Sequence, residues 1–316
     1  MNVLSLFDGL GGARIALQNI GIRVDKYYSS EIDKSAINVL KKNYPDSICL
    51  GSVENVRTDT IDNIDLLIGG SPCQNLSICG NRKGLSGEQS KLFYEFVRIL
   101  EETKPIYFLL ENVSSMDKRD EETISSILKE DPFYINSSVF TPQNRKRTYW
   151  TNIPRFEPIE EKKIYVRDIL TDEVNKEKKC SDKSEKLLLI NYGGQGDRVY
   201  SIYAKGICLS ASTGGAGSKT GLYLIDNKGD VTDRLRNLKT KPFIKKFEKE
   251  NMKWSYEQTL ARKLSPIEAE RMQGIPDDYT VSVSTSQREK MIGNGFTIPV
   301  IEYLLYGMLY QNKIKF

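Results

Sequence analysis

The chain has 316 residues, of which 39% are hydrophobic and 28% charged; this allows one large domain and a smaller lobe, and no uncharged apolar run is long enough to span a bilayer. It has no histidine, which excludes His-activated nucleophiles, and its five cysteines form no Cys-x-x-Cys pair, so neither a disulfide framework nor a zinc site is expected. A net charge of +4 neither requires nor forbids a polyanionic partner, which leaves the local clusters Arg82-Lys83, Arg145-Lys146-Arg147 and Lys239 to Lys246 to supply one; the last reads equally well as a solvated surface.

Met1 to Asp8 lacks a basic region ahead of its apolar residues, so it reads as a strand and not as a signal peptide, and a cytoplasmic protein is expected. The strand, Val3 to Phe7, runs into Asp8-Gly9-Leu10-Gly11-Gly12 and a helix from Ala13 to Ile20 closed by Gly21. A strand, glycine turn and helix suit a nucleotide-type cofactor seated at a helix N-terminus. The next strand, Lys26 to Ser30, ends in Glu31 ahead of a helix from Lys34 to Asn43. A carboxylate in that place can accept both hydroxyls of a ribose; the plainer alternative is that Glu31 and Asp33 supply negative charge to the helix N-terminus. A short strand, Ser47 to Leu50, then leads to Gly51-Ser52-Val53.

The apolar strand Ile64 to Ile68 empties into Gly69-Gly70-Ser71-Pro72-Cys73-Gln74-Asn75-Leu76-Ser77, which brings a cysteine to the mouth of a sheet. A free cysteine is commonly a small buried hydrophobe. Here Ser77, Gly80, Arg82-Lys83-Gly84 and Gly87 follow in a polar, glycine-punctuated segment of the kind used for lids and binding loops. A helix over Leu92 to Leu100 precedes Pro105 and a strand, Ile106 to Leu110, ending in Glu111-Asn112-Val113. Reactive groups at two strand ends point to one shared site. A helix from Glu121 to Lys129, a strand near Tyr134 to Phe140, the basic turn Gln143-Asn144-Arg145-Lys146-Arg147 and a strand over Thr148 to Ile153 follow.

From Arg155 the character shifts, and Glu157 to Lys186 is charge-rich and poorly periodic, reading as a linker or exposed connection. The glycine-rich loops Gly193 to Tyr200 and Ser212 to Gly221 lie beside short strand patterns, as in a small β-rich lobe that reads a groove or in ordinary hairpins. Arg262 to Gly274 carries a helix with a serine cap, a proline at its first position and a glycine stop, and Gln287 to Phe296 opens a last apolar helix, Ile298 to Leu309. The expected division is 1–155 for catalysis and cofactor, 156–260 for linker and target recognition, and 261–316 returning to the first domain.

Pro72-Cys73-Gln74, with Ser77, Gly80 and Gly84 behind it, resembles the catalytic loop of DNA (cytosine-5) methyltransferases. Phe7-Asp8-Gly9-Leu10-Gly11-Gly12, Glu111-Asn112-Val113 and Gln143 to Arg147 resemble further motifs of that family in the family's order. The likeness implies an α/β fold: a Rossmann-like S-adenosylmethionine-dependent methyltransferase sheet with a second, smaller β-rich target-recognition domain. It implies Cys73 as the nucleophile at C6 of a flipped-out cytosine, Glu111 at N3, Arg147 at O2, and Arg145 orienting Glu111 or binding phosphate. It implies a cofactor site of Phe7, Gly9, Gly11, Glu31, Ile32, Ser52, Val53, Pro72, Leu92 and Asn294 for S-adenosyl-L-methionine, left as S-adenosyl-L-homocysteine. An aspartate that accepts from the adenine amino group is usual where Ser52 stands.

The region from Gly193 through Leu224 is similar to that of bacterial enzymes modifying the inner cytosine of GCGC, and the first half to vertebrate de novo methyltransferase catalytic domains. Duplex DNA would be met by Ser77, Arg82, Gln195, Arg198 and Thr220, with Gln195 filling the gap left by the base. Cys208 stands where a phosphate-binding threonine is typical. A bacterial or phage-like monomer is expected, with a cognate restriction endonuclease as its companion. A tRNA cytosine-5 methyltransferase and a catalytically silent DNA-binding paralogue are the alternatives.

Overall fold

The computed structural model of the chain describes residues 1–71, 91–155, 159–174, 179–189, 198–211, 217–225, 246–248, 253–256 and 259–313. It divides into two compact units, one of Met1–Asn136, Lys146–Pro158 and Phe296–Phe316, the other of Ser137–Arg145 and Ile159–Gly295.

The first unit is built on a seven-stranded sheet. Its strands are β1 (Asn2–Leu6), β2 (Lys26–Ser30), β3 (Ile48–Cys49), β4 (Leu66–Gly69), β5 (Tyr107–Val113), β6 (Phe133–Asn136) and β7 (Lys146–Thr151), in the order β3-β2-β1-β4-β5-β7-β6. The first five run parallel, and β7 is antiparallel to both β5 and β6. Leu66 to Ile68 of the central β4 are entirely buried, which is why that strand is written as a continuous apolar run rather than an alternating one. Strand order reverses between β1 and β4, and the crevice beyond the carboxyl ends of such a pair is where doubly wound sheets take ligands. The Asp8 turn and the Gly69-Gly70-Ser71 segment both leave the sheet there.

Four helices follow strands of this sheet: α1 (Gly12–Asn19), α2 (Lys34–Asn43), α3 (Lys91–Thr103) and α4 (Lys118–Leu128). Each buries one face: Ile15 and Leu17 of α1, Val39 and Leu40 of α2, Phe93, Phe96 and Ile99 of α3, Ile124 and Leu128 of α4. Asp33 caps α2 by accepting from Ser35 N at 2.9 Å. A Cβ on Gly12 would lie 3.3 Å from Ile298 Cδ1, so glycine lets α1 approach the last helix closely.

The strand expected over Tyr134 to Phe140 stops at Asn136, because Ser137–Val139 turn as a 3-10 segment and the chain enters the second unit. It returns at Lys146, so Lys146 and Arg147, expected in a basic turn, are the first residues of β7.

The second unit holds a six-stranded sheet of β8 (Lys186–Leu189), β9 (Arg198–Ser201), β10 (Leu222–Ile225), β11 (Lys246–Glu248), β12 (Lys253–Tyr256) and β13 (Thr259–Lys263), ordered β11-β12-β13-β10-β9-β8. The segment expected to be an exposed linker is part of this core: Val166 is fully buried, and Tyr165, Ile169 and Leu170 are buried too. The charges around them hide an apolar anchor too short to show periodicity. Lys205 is also buried, its Nζ donating to the Ser138 carbonyl at 2.6 Å, and burial lowers its pKa.

Helix α5 (Pro266–Gln273) has the expected ends, with Ser265 and Glu268 forming a capping box and Gly274 in the left-handed conformation at φ 73°. Together with α6 (Thr285–Asn294) it packs in the second unit, and the return to the first begins at Phe296 rather than at 261. A Cβ on Gly293 would lie 2.6 Å from the Ser210 backbone, a contact that ties α6 to this unit. The final helix, α7 (Ile298–Lys313), belongs to the first unit. Among the described residues no helix is long and apolar enough to cross a membrane.

Candidate functional site

The ends of β4 and β5 make one half of the site. Their pairing sets Gly69 beside Leu110, and beyond it Asn112 Nδ2 donates to Ser71 Oγ at 3.0 Å. A Cβ on Gly70 would stand 3.0 Å from Glu111 Oε2, so glycine makes room for that carboxylate. Two residues past Ser71 the chain reaches Cys73. Pro72, Cys73, Ser77 and Arg82 lie outside the described residues, as does Gln195.

Register explains what faces Glu111. Antiparallel pairing sets Glu111 opposite Tyr149 and Val113 opposite Arg147, so Glu111 and Arg147 are diagonal neighbours on one face, within reach of long side chains. Arg147 Nε meets Glu111 Oε1 at 2.9 Å, with side chains 15% and 11% exposed. A charge pair this sheltered from water is screened little by salt.

The ends of β1 and β2 make the other half. Phe7 adopts φ 55°, an uncommon conformation for a residue with a side chain and one that clusters at ligand sites. Gly9 and Gly11 follow at φ 60° and 87°, and the space a Cβ on Gly9 would occupy is open. Gly9 N donates to Glu31 Oε2 at 2.8 Å, while Glu31 Oε1 accepts from Ile32 N at 2.7 Å and Asp33 N at 2.8 Å. Oε2, with a single amide partner, keeps a second lone pair for a ligand hydroxyl. Ile32 leaves 75% of its surface exposed beside this carboxylate, and Ser52 opens a short 3-10 turn, Val53–Asn55, with no side-chain cap hydrogen bond. Val53 is buried and Leu92 packs at the edge of the core. Left-handed glycines, an amide-held acid and an exposed apolar side chain thus meet at one end of the sheet.

Four expected site residues stand among the described residues of the second unit, one of them Asn294, the last residue of α6. Arg145 is 3% exposed and donates to the carbonyls of Leu209 at 3.3 Å, Gly293 at 3.1 Å and Gly295 at 3.1 Å, and to Cys208 Sγ at 3.5 Å. The arginine in contact with Glu111 is Arg147, whereas Arg145 bonds the carbonyls on either side of Asn294, at the end of α6. Thr220, expected to meet DNA, is 1% exposed, and its hydroxyl donates to the Gly221 carbonyl at 3.2 Å, so its part here is to shape the turn. Arg198, the first residue of β9, is half-buried.

Sequence reasoning passed over two further groups. Gln143 is fully buried; its Oε1 accepts from Leu209 N at 2.9 Å and its Nε2 donates to Gln273 Oε1 at 2.9 Å. Asp8 is buried beneath the first glycine turn. An acid flanked by a strand and glycines was its available signal.

The family model described as C-5 cytosine-specific DNA methylase matches residues 1–309. The Type II methyltransferase M.HhaI of Haemophilus parahaemolyticus is 31% identical over 343 residues, covering 98% of this chain and 94% of that protein. The Type II methyltransferase M.HpaII of Haemophilus parainfluenzae is 29% identical, over 95% of this chain and 86% of its own. In fold, the chain is similar to the Entamoeba histolytica methyltransferase EhMeth, with a TM-score of 0.70 at 18% identity over 98% of each chain.

Proposed function

We propose a mechanism from one premise: the chain belongs to the C-5 cytosine-specific DNA methylase family and is a DNA (cytosine-5)-methyltransferase. Carbon 5 of cytosine is a poor nucleophile, so a group must first add at C6 to make C5 enamine-like. Cys73 is that group, reacting as its thiolate. A free thiol titrates near ~8.5, and a neighbouring cation lowers that value; Arg147, at the end of the adjoining strand pair, is available. The observation that carries this reading is the Glu111–Arg147 pair, 2.9 Å apart and joined through Asn112 to Ser71, two residues before the cysteine.

Addition at C6 places negative charge on the ring, and a proton or strong hydrogen bond at N3 stabilises it. Glu111 takes up a proton from solvent as the base enters and shelters it from water, and donates that proton at N3. Arg147 fixes the glutamate's orientation and reaches toward the O2 side. After transfer the C5 proton leaves to water or hydroxide, since the chain has no histidine, and Cys73 is eliminated.

The methyl donor is S-adenosyl-L-methionine, which supplies an electrophilic methyl group. Phe7, Gly9 and Gly11 seat it through their backbone, and Glu31 accepts a ribose hydroxyl at Oε2. Ile32, Ser52 and Val53 receive the adenine, and Pro72 and Leu92 line the same end of the sheet. Gln195 and Arg198 of the second unit read duplex DNA, and Ser77 and Arg82, in the loop that carries Cys73, meet DNA as well. The target base is extruded, at about a few kcal/mol, because its reacting atoms are hidden in the stack. The protein acts as a cytoplasmic monomer beside a cognate endonuclease.

The test is transfer of labelled methyl from S-adenosylmethionine to duplex DNA, tRNA or no acceptor, with Cys73→Ala in parallel. Label in DNA that disappears with Cys73→Ala supports the mechanism. Label confined to tRNA, or transfer to DNA undiminished by Cys73→Ala, overturns it.

A further inference from the structure

Beneath the first glycine turn lies a carboxylate that this mechanism does not use. Asp8 is 4% exposed; its Oδ1 accepts from Ser5 Oγ at 2.6 Å and from the Tyr27 hydroxyl at 2.7 Å. Its backbone shapes the turn, with its N–H donating to the Ser30 carbonyl at 3.2 Å and its carbonyl accepting from Gly11 N at 3.1 Å. Oδ2 is buried without a hydrogen-bond partner among the described residues. The next residue, Gly9, donates to Glu31, so a buried acid and a strand-end acid bracket the same turn.

The charged and titratable groups around Asp8 leave its charge unbalanced. From β2 come Tyr27 and Glu31, and from β3 Cys49, whose thiol is pushed up by burial and further by Asp8, while Lys41 pulls it down. From α1 comes Arg14, whose guanidinium lies 5.8 Å from the Tyr27 ring centroid and is engaged with Asp46 at 3.2 Å. Burial pushes the Asp8 carboxyl up to about 6; the hydroxyls of Ser5 and Tyr27 oppose this, and the charge of Glu31 adds to it.

We propose that Asp8 is a charge-selecting positioning residue: set behind the glycine turn, its buried carboxylate makes the site prefer a cation-bearing ligand, the sulfonium donor, over the neutral thioether left after transfer. This rests on the reading that the turn seats S-adenosylmethionine. The two ligands differ by one methyl group and one positive charge. By linkage, a cation that binds better to ionised Asp8 draws the proton off it, so donor binding releases protons and product binding does not. The preference helps the used cofactor to leave.

The experiment is calorimetric titration of the full chain with each ligand from about pH 5 to about pH 8, repeated in buffers of different ionisation enthalpy to count protons. In the unmodified protein the affinity ratio, donor over product, rises by about fivefold or more across that range. Near pH 6 only the donor releases protons. Asp8→Asn flattens the ratio. Tyr27→Phe removes a donor that favours the ionised acid, so the rise moves to higher pH. A flat ratio in the unmodified protein, equal proton release by both ligands, or an unchanged rise in Asp8→Asn overturns the proposal while leaving the cofactor reading intact. Failure of both ligands to bind overturns the cofactor reading and the proposal with it. Should Asp8→Asn not fold, the proton count and the Tyr27→Phe shift decide.

Discussion

Two glutamates stand at the carboxyl ends of strands in one sheet, and the protein holds them by different means. Glu31 is gripped by three backbone amides, those of Gly9, Ile32 and Asp33. Glu111 is held by a side chain, the Arg147 guanidinium. An amide-held acid is fixed as long as the turn is folded, which suits a group that accepts hydroxyls from a ligand. An acid held by one cation can exchange that partner when a base arrives, which suits a group that must deliver a proton. Glu268 in the second unit combines both means, accepting from Arg262 at 2.7 Å and from the amides of Ser265 and Thr171. It is the purely structural case.

The largest effect is expected at the exchangeable acid. Glu111→Gln keeps an acceptor for Arg147 but cannot supply the proton, and single-turnover methyl transfer should fall by about 10² to 10⁴, with DNA affinity retained in a gel-shift assay. Removing the cation instead, in Arg147→Ala, strands a sheltered carboxylate; denaturant unfolding should show a loss approaching ~3 kcal/mol together with loss of transfer. A stable, active Arg147→Ala protein would abolish the contrast.

Glu268 sharpens it through pH. Burial raises its pKa, but Arg262 and the amides outweigh burial and lower it to about 2. Its stabilisation is then fully present above the unfolded value and is lost as pH falls through about 2, worth on the order of 3 kcal/mol. Glu268→Gln should remove that segment of the acid-unfolding curve.

Smaller effects belong to the amide-held acid. Glu31→Gln turns one oxygen into a donor facing N–H groups, and donor affinity should weaken about tenfold by calorimetry with the saturated rate unchanged. Smallest is Asp33→Ala, which uncaps α2 and should cost about 1 kcal/mol of stability, with a slight loss of donor affinity.

What was legible in the sequence was local. The strand, left-handed glycines and helix of the cofactor turn are written in consecutive residues, as are the serine cap, proline and glycine of α5. What was not legible depends on partners distant in sequence. Arg145 and Arg147 look equivalent in Gln143 to Arg147; only the crossing between units and the β5–β7 register assign Arg147 to Glu111 and Arg145 to the carbonyls of Leu209, Gly293 and Gly295. The Tyr165–Leu170 anchor was hidden by its charged surroundings, and Thr220 carried no sign that its hydroxyl would close its own turn.

The close approach of Gly12 to Ile298 ties an early helix to a late one, and it has a consequence in time. A ribosome adding about 5–20 residues per second needs roughly 15–60 s to travel from the first of these residues to the second. Through that interval the nascent chain carries its glycine turn on a helix whose apolar face lacks its last neighbour, exposed to chaperones and proteases. The order of synthesis thereby acts as a delay: a loop made early waits for a helix made late.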